Sequence, residues 1–188
     1  VNGLLAQGVG HPVSSLDGTD LGAQQTDAIG HTVDASLTFT DERGYPFGLK
    51  QLFPGKQPVV LMLGYYSCPA MCGQVLGAAF DALSEDSLQP GVDYRVLNVS
   101  INPAETAAMA MERKQKFLPK LRKIGGDEAW RVLVGDAASV KKLADAVGFH
   151  YYWAEATQQF AHPPSLIFLT PEGKVSRIIT STVFETSD

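Results

Sequence analysis

The stretch Val59-Val60-Leu61-Met62-Leu63-Gly64-Tyr65-Tyr66-Ser67-Cys68-Pro69-Ala70-Met71-Cys72 decides the fold class of this chain. Its first part is a continuous apolar run, which is typical of a strand buried on both faces of a sheet. Its last part holds the only two cysteines of the chain, separated by three residues. Pro69 suits the first position of a helix, because the N–H that proline lacks has no partner there. The stretch therefore predicts a pair of thiols where a buried strand passes into a helix.

The size and charge of the chain exclude several classes of protein. Its 188 residues correspond to one ordinary domain, which needs no disulfide to fold. The net charge is -5 and no cluster of Lys and Arg is present, so nucleic acid is not an expected partner. No apolar segment reaches the ~18 residues of a membrane span.

Strand and helix patterns alternate along most of the chain. Residues 1–33 lack aromatic side chains, which predicts a flexible tail or linker before a domain at 34–188. An N-terminal β-hairpin is predicted first, followed by three strand–helix pairs and a final hairpin. The strands are predicted at 58–66, 94–101 and 130–134, the helices at 69–83, 104–124 and 136–147, and the final hairpin at 166–179. We expect the charged second helix to face solvent, and the alternation predicts an α/β fold with parallel central strands.

The thiol pair suits two kinds of chemistry. Residues four apart on a helix lie about 40° apart around its axis, so Cys68 and Cys72 would face one side. A thiol at a helix N-terminus has a lowered pKa, and the resulting thiolate can attack a disulfide or bind a soft metal such as Cu(I). Zinc would lack two of its usual four ligands. Two buried cysteines acting as small apolar side chains are the third alternative.

A histidine could complete a metal site. His11 and His31 lie in the predicted tail, and His150 lies in an extended stretch where a packed or exposed side chain is expected. His162 instead ends a loop before Pro163-Pro164 and the next strand. That loop is expected at the sheet end where the first helix begins, so His162 is the candidate third ligand.

Several motifs together resemble the Sco/SenC family of copper-binding, thioredoxin-like proteins. Gly64-Tyr-Tyr-Ser-Cys-Pro-Ala-Met-Cys72 is similar to the family's G-Y-[TS]-x-C-P-x-x-C stretch. Val99-Ser-Ile-Asn-Pro103 resembles its V-S-[IV]-D-P strand end, and Trp130 to Asp136 resembles its W-x-x-L-x-G-D. The spacing from His162 to Pro171-Glu-Gly173 also matches. The resemblance covers about residues 36–184.

The resemblance implies a thioredoxin-like fold with a central mixed sheet flanked by helices, and a site for Cu(I) or Cu(II) formed by Cys68, Cys72 and His162. It implies a metallochaperone that supplies copper to the binuclear copper centre of cytochrome c oxidase, with the copper-centre subunit or another cuproprotein as its partner. It also implies an extracytoplasmic location, on the periplasmic side of the inner membrane in a bacterium. The implied N-terminal membrane anchor is not in this sequence, and we expect a monomer.

Three departures from the family pattern keep a second function open. Carboxylates that the family often carries are replaced by Ala70, Asn102 and Ala161, so a side chain that would orient the histidine is missing from the expected places. The alternative is a thiol–disulfide oxidoreductase or thiol peroxidase without metal, in which Cys68 attacks and Cys72 resolves. Pro164 precedes a strand near the thiols and is a candidate cis-proline.

Overall fold

The computed structural model describes residues 27–69, 71–121, 123 and 125–184. Nine strands are found in this part: β1 Thr38–Thr40, β2 Pro46–Gly48, β3 Val59–Gly64, β4 Arg95–Ser100, β5 Trp130–Leu133, β6 Tyr152–Ala154, β7 Gln159–Ala161, β8 Ser165–Leu169 and β9 Val175–Thr180. The helices are α1 Cys72–Glu85, α2 Ala107–Leu121, α3 Gly126–Ala129 and α4 Ala137–Ala146, with a short 3₁₀ helix at Leu49–Gln51. No helix in these ranges is long and apolar enough to cross a bilayer.

A five-stranded mixed sheet in the order β5-β4-β3-β8-β9 organises the molecule. β3, β4 and β5 run parallel, whereas β8 is antiparallel to β3 and β9 is antiparallel to β8. The predicted mixed sheet and the N-terminal hairpin β1–β2 are confirmed. A second hairpin, β6–β7, was not predicted, and it leads directly into the loop of His162.

The core lies on both faces of this sheet, and β3 is buried along its whole length as predicted. Alternate side chains of β3 enter different clusters. Leu61 and Leu63 pack in the cluster that includes α4, and Val60 and Met62 pack with α1 and α2. β3 is thus the central strand, and the chain that leaves it is fixed by the most buried part of the fold.

The second long helix differs from the prediction. It was expected to be solvent-facing, yet Arg113 and Lys114 of α2 are only 9% and 3% exposed. The Lys114 Nζ atom lies 2.7 Å from Glu42 and 2.9 Å from Asp127. The prediction holds for the outer side of α2, where Glu112 and Lys116 are exposed. It fails for Lys114, because charge composition alone does not reveal carboxylates brought from distant segments.

Part of the predicted tail belongs to the packed domain. Ala28 and Val33 are buried, and the Gly30 and Val33 amides donate hydrogen bonds to the Val175 and Gly173 carbonyls. Residues 1–26 of that predicted tail lie outside the described residues. The packed chain therefore begins before residue 34.

Candidate metal centre

The turn that carries Cys68 connects β3 to α1 and is held by Glu105. The Glu105 carboxylate accepts hydrogen bonds from the Tyr66 amide at 2.8 Å and from the Ser67 amide and hydroxyl at 2.7 Å each. It also accepts one from the Ser100 hydroxyl at 2.6 Å. Sequence analysis missed Glu105. Its signal is a carboxylate just after β4, because the carboxyl ends of parallel neighbours lie at the same sheet edge.

The helix begins at Cys72 rather than at Pro69, which corrects the sequence prediction. Cys68 lies in the turn, half-buried, and Cys72 is the first residue of α1 and is buried. The explanation that both sulfurs share one helix face is therefore wrong. The two thiols are nevertheless neighbours, since the Cys68 side chain interacts with the Cys72 thiol, and neither is in a disulfide.

His162 meets Cys72 across the gap between two neighbouring strands. Its Nε2 atom lies 3.1 Å from the Cys72 Sγ atom, although the residues are 90 apart in sequence. Its Nδ1 atom lies 3.1 Å from the Pro163 carbonyl oxygen. A carbonyl can only accept, so Nδ1 carries the proton and the Nε2 lone pair faces the sulfur. The backbone thus orients the imidazole where the family carboxylate is missing.

Aromatic rings enclose the imidazole. The Phe149 and Tyr65 ring centroids lie 5.6 and 6.1 Å from that of His162. Burial lowers the pKa of His162 from its ordinary value, although the Pro163 carbonyl opposes this shift. The imidazole is therefore neutral at neutral pH, which is the form that binds metals.

The Cys72 thiol and the Tyr65 hydroxyl, which lie beside the imidazole, both keep their protons at neutral pH. Burial raises the pKa of Cys72 to about 12, and the neighbouring Cys68 adds to the effect. Burial likewise raises the pKa of Tyr65, whose hydroxyl has no hydrogen bond of ordinary geometry. At Cys72 burial therefore outweighs the dipole of the helix that begins there. The lowered thiol pKa was predicted for Cys68, which lies in the turn before the helix, and it stays a prediction.

Gly64 leaves room between the two candidate ligands. A Cβ atom at this position would lie 3.7 Å from the Cys72 Sγ atom and 3.8 Å from the His162 Cε1 atom. These are ordinary contact distances, so a methyl group fits there, but a larger side chain would occupy the space between sulfur and imidazole.

The remaining predicted features are placed as follows. His31 and His150 are exposed, and His11 lies outside the described residues. The peptide bond before Pro164 is trans, so this candidate cis-proline is excluded; within the described ranges the cis bond is Phe53–Pro54. Nor do any three His, Cys, Asp or Glu side chains in those ranges already form a metal cluster. Cys72 and His162 are in contact, and Cys68 neighbours the Cys72 thiol.

Comparisons with known proteins agree with this architecture. A protein of Aquifex aeolicus VF5 is 24% identical, with a TM-score of 0.74, over 85% of this chain and 88% of that one. Arabidopsis thaliana ScoI with copper bound is 20% identical, with a TM-score of 0.62, over 85% and 91%. Yeast Sco1 with copper bound is 17% identical, with a TM-score of 0.63, over 82% of each chain.

At these identities the structures establish the thioredoxin-like Sco fold alone. No curated protein matches the chain. The sequence profile of SCO1/SenC, however, matches residues 25–186, which is most of the chain and includes both cysteines and His162. The chain therefore belongs to the SCO1/SenC family.

Proposed function

We propose that this chain binds copper as a Sco-type protein, through Cys68, Cys72 and His162. The contact of 3.1 Å between the Cys72 Sγ and His162 Nε2 atoms carries the proposal, because it joins a thiol and an imidazole lone pair from opposite parts of the fold. Proteins of the same fold from Arabidopsis and yeast have structures with copper bound.

The donor set suits this metal. Thiolates select Cu(I), and an imidazole suits copper as well. Copper requires ligand atoms at roughly 2.0–2.3 Å, as for zinc with the same donors, so an ion between Sγ and Nε2 widens that contact only slightly. Cys68, half-buried in the turn, would supply the third ligand by closing over the ion.

The exposure of the two thiols suggests a route for transfer. Cys68 reaches the surface whereas Cys72 is buried, so an incoming thiolate from a partner would replace Cys68 first and Cys72 second. We propose the copper-centre subunit of cytochrome c oxidase, or another cuproprotein, as the recipient. We also propose that the protein acts outside the cytoplasm.

A second candidate function is thiol–disulfide exchange. The accessible Cys68 and buried Cys72 resemble an attacking and a resolving thiol. The Cys68 thiolate would attack a substrate disulfide and release one thiolate, and the Cys72 thiolate would then displace the second, leaving a Cys68–Cys72 disulfide. The pKa of Cys72 near 12 opposes the second step at neutral pH. Copper binding has the advantage that the metal–sulfur bond itself drives deprotonation.

Anaerobic titration with Cu(I) against a chromophoric chelator tests the proposal. We expect one Cu(I) per chain, with binding lost in Cys72→Ser and weakened in Cys68→Ser and His162→Ala. The exposed His150 provides the matched control, because His150→Ala removes an imidazole that is not among the candidate ligands. Binding that is unchanged in His162→Ala would remove this residue from the ligand set. Turnover of a disulfide substrate by the metal-free protein would favour the second function.

A further inference from the structure

Arg113 is a buried cation behind the thiol pair that no sequence motif identified. Its side chain is on α2, and the residue is 9% exposed. Its Nη2 atom donates a hydrogen bond to the Cys72 carbonyl oxygen at 2.8 Å, and its guanidinium carbon lies 4.6 Å from the Phe117 ring centroid. Among the described residues, no carboxylate forms a salt bridge with it, and the Glu105 carboxylate stabilises its charge only from beyond salt-bridge distance. A buried charge without a counter-ion in contact is costly.

Arg113 also borders a small, partly open cavity shared with the candidate ligands. The cavity has a volume of about 30 Å³ and is lined by Arg113, Asn98, Cys72 and His162 among others. The Arg113 Nε and Asn98 Oδ1 atoms are buried without a hydrogen-bond partner. Such a volume holds about two water molecules. The cation thus faces the candidate ligands across a small space, and no described carboxylate is in contact with it.

The charge of a copper-loaded site supplies the missing partner. Cu(I) with two thiolates and a neutral imidazole carries one net negative charge, whereas Cu(II) in the same ligands carries none. Of these two loaded states, the Cu(I) state alone is anionic and would be stabilised by a neighbouring cation in a site of low dielectric constant.

We propose that Arg113 is a positioning residue that supplies the counter-charge of the Cu(I)–dithiolate site, an inference that rests on the copper function proposed above. Its hydrogen bond to the Cys72 carbonyl fixes the first turn of α1, and its charge favours bound Cu(I) over bound Cu(II). The protein thereby keeps a buried cation that becomes paired when copper is loaded.

Four variants test this role through affinity measured by chelator competition. Arg113→Met and Arg113→Gln remove the charge, and Gln keeps a donor for the Cys72 carbonyl. Arg113→Lys keeps the charge. Lys116→Met is the matched control, since Lys116 is exposed on the same helix and its loss changes the net charge equally. Circular dichroism checks that each variant folds, and having two neutral variants guards against the failure of one.

We expect Cu(I) affinity to fall about 10- to 100-fold in the neutral variants, as for other residues that support metal ligands. We expect Arg113→Lys to recover most of it and Cu(II) affinity to fall less. Equal Cu(I) affinity in the neutral variants and Lys116→Met would overturn the proposal, and so would equal losses for Cu(I) and Cu(II), or a Lys variant as weak as the Gln variant. If the Cys72→Ser variant binds Cu(I) as tightly as the wild type, the copper site proposed above is wrong. That result is distinct from a failure of the role proposed for Arg113.

Discussion

Arg113 and Lys114 are consecutive residues of one helix, both basic and both buried, yet their surroundings are opposite. Lys114 contacts the carboxylates of Glu42 and Asp127, and its Nζ atom also donates to two backbone carbonyls. Arg113 has a carbonyl, an aromatic ring and a cavity. The carboxylates in contact with Lys114 carry permanent charges, whereas Arg113 contacts no carboxylate, and Glu105 acts on it only from a greater distance. Lys114 therefore stabilises the fold, and we infer that Arg113 stabilises the metal site.

The largest expected effect is the loss of protein stability when Lys114 is replaced. Lys114→Met leaves the buried Glu42 carboxylate with two more distant basic partners, Arg131 at 3.5 Å and Arg43 at 4.0 Å. Breaking a buried ion pair by removing one partner costs about 3–5 kcal/mol. Urea denaturation measures the loss, with Lys116→Met as the control for charge. A loss near that of the control would show that the buried pair is not a structural anchor.

The next effect concerns the carboxylate that holds the thiol turn. Glu105→Gln keeps one acceptor oxygen but removes the charge that four donors share. Since hydrogen bonds to charged groups contribute about 1.5–3 kcal/mol, we expect a loss of about 2 kcal/mol. Amide hydrogen exchange should also accelerate at Tyr66 and Ser67. Unchanged exchange at these two amides would mean that the turn is fixed by other contacts.

Loss of the Cys72 thiol proton on copper binding predicts that the Cu(I) affinity depends on pH. The pKa of Cys72 is raised to about 12, so its thiol is protonated at neutral pH and must release a proton when copper binds. Cu(I) affinity should therefore rise at least about tenfold for each pH unit between about pH 7 and 9, equivalent to ~1.4 kcal/mol per unit. The lowered pKa of His162 means that protons do not compete for its nitrogen in this range.

Chelator competition at several pH values measures this slope, and His150→Ala should leave it unchanged. An affinity independent of pH would mean that the Cys72 thiol does not lose its proton on binding.

The smallest expected effect is the change in stability when Arg113, rather than Lys114, is replaced. Arg113→Met should change the free energy of unfolding by no more than about 1 kcal/mol, because replacing a buried charged group with an apolar side chain of similar size is often neutral. Thermal or urea denaturation of the metal-free protein measures it. A loss as large as that of Lys114→Met would mean that Arg113 supports the fold in the same way as its neighbour.

The fold was largely predictable because its signals are local. The buried run of β3 identified the central strand, and the helix predicted at 136–147 begins after Asp136, whose side chain accepts from the Ala138 and Ser139 amides. The final hairpin predicted at 166–179 turns at Gly173, whose φ is +82°. Each of these features depends on residues within a few positions of one another.

The errors came from contacts that join distant segments. Pro69 fits a helix start locally, but the turn is held by Glu105 from another strand end. The β6–β7 hairpin escaped notice because its left-handed residue is Gln158, with φ +52°, rather than the usual glycine. The ligand set was inferred partly from family resemblance, and Arg113 carried no signal because burial of a helix face depends on what packs against it.

Because β3 and β8 pair antiparallel, the distance between His162 and the two thiols depends on the register of these strands. Leu61 lies opposite Ile167, and the thiols follow one strand while His162 precedes the other. A slip of two residues would keep each side chain on its own face but move His162 by about 6.8 Å relative to the thiols. Bound Cu(I) would therefore favour the native register over that slipped form, and loss of copper affinity would report the slip even where the core remained buried.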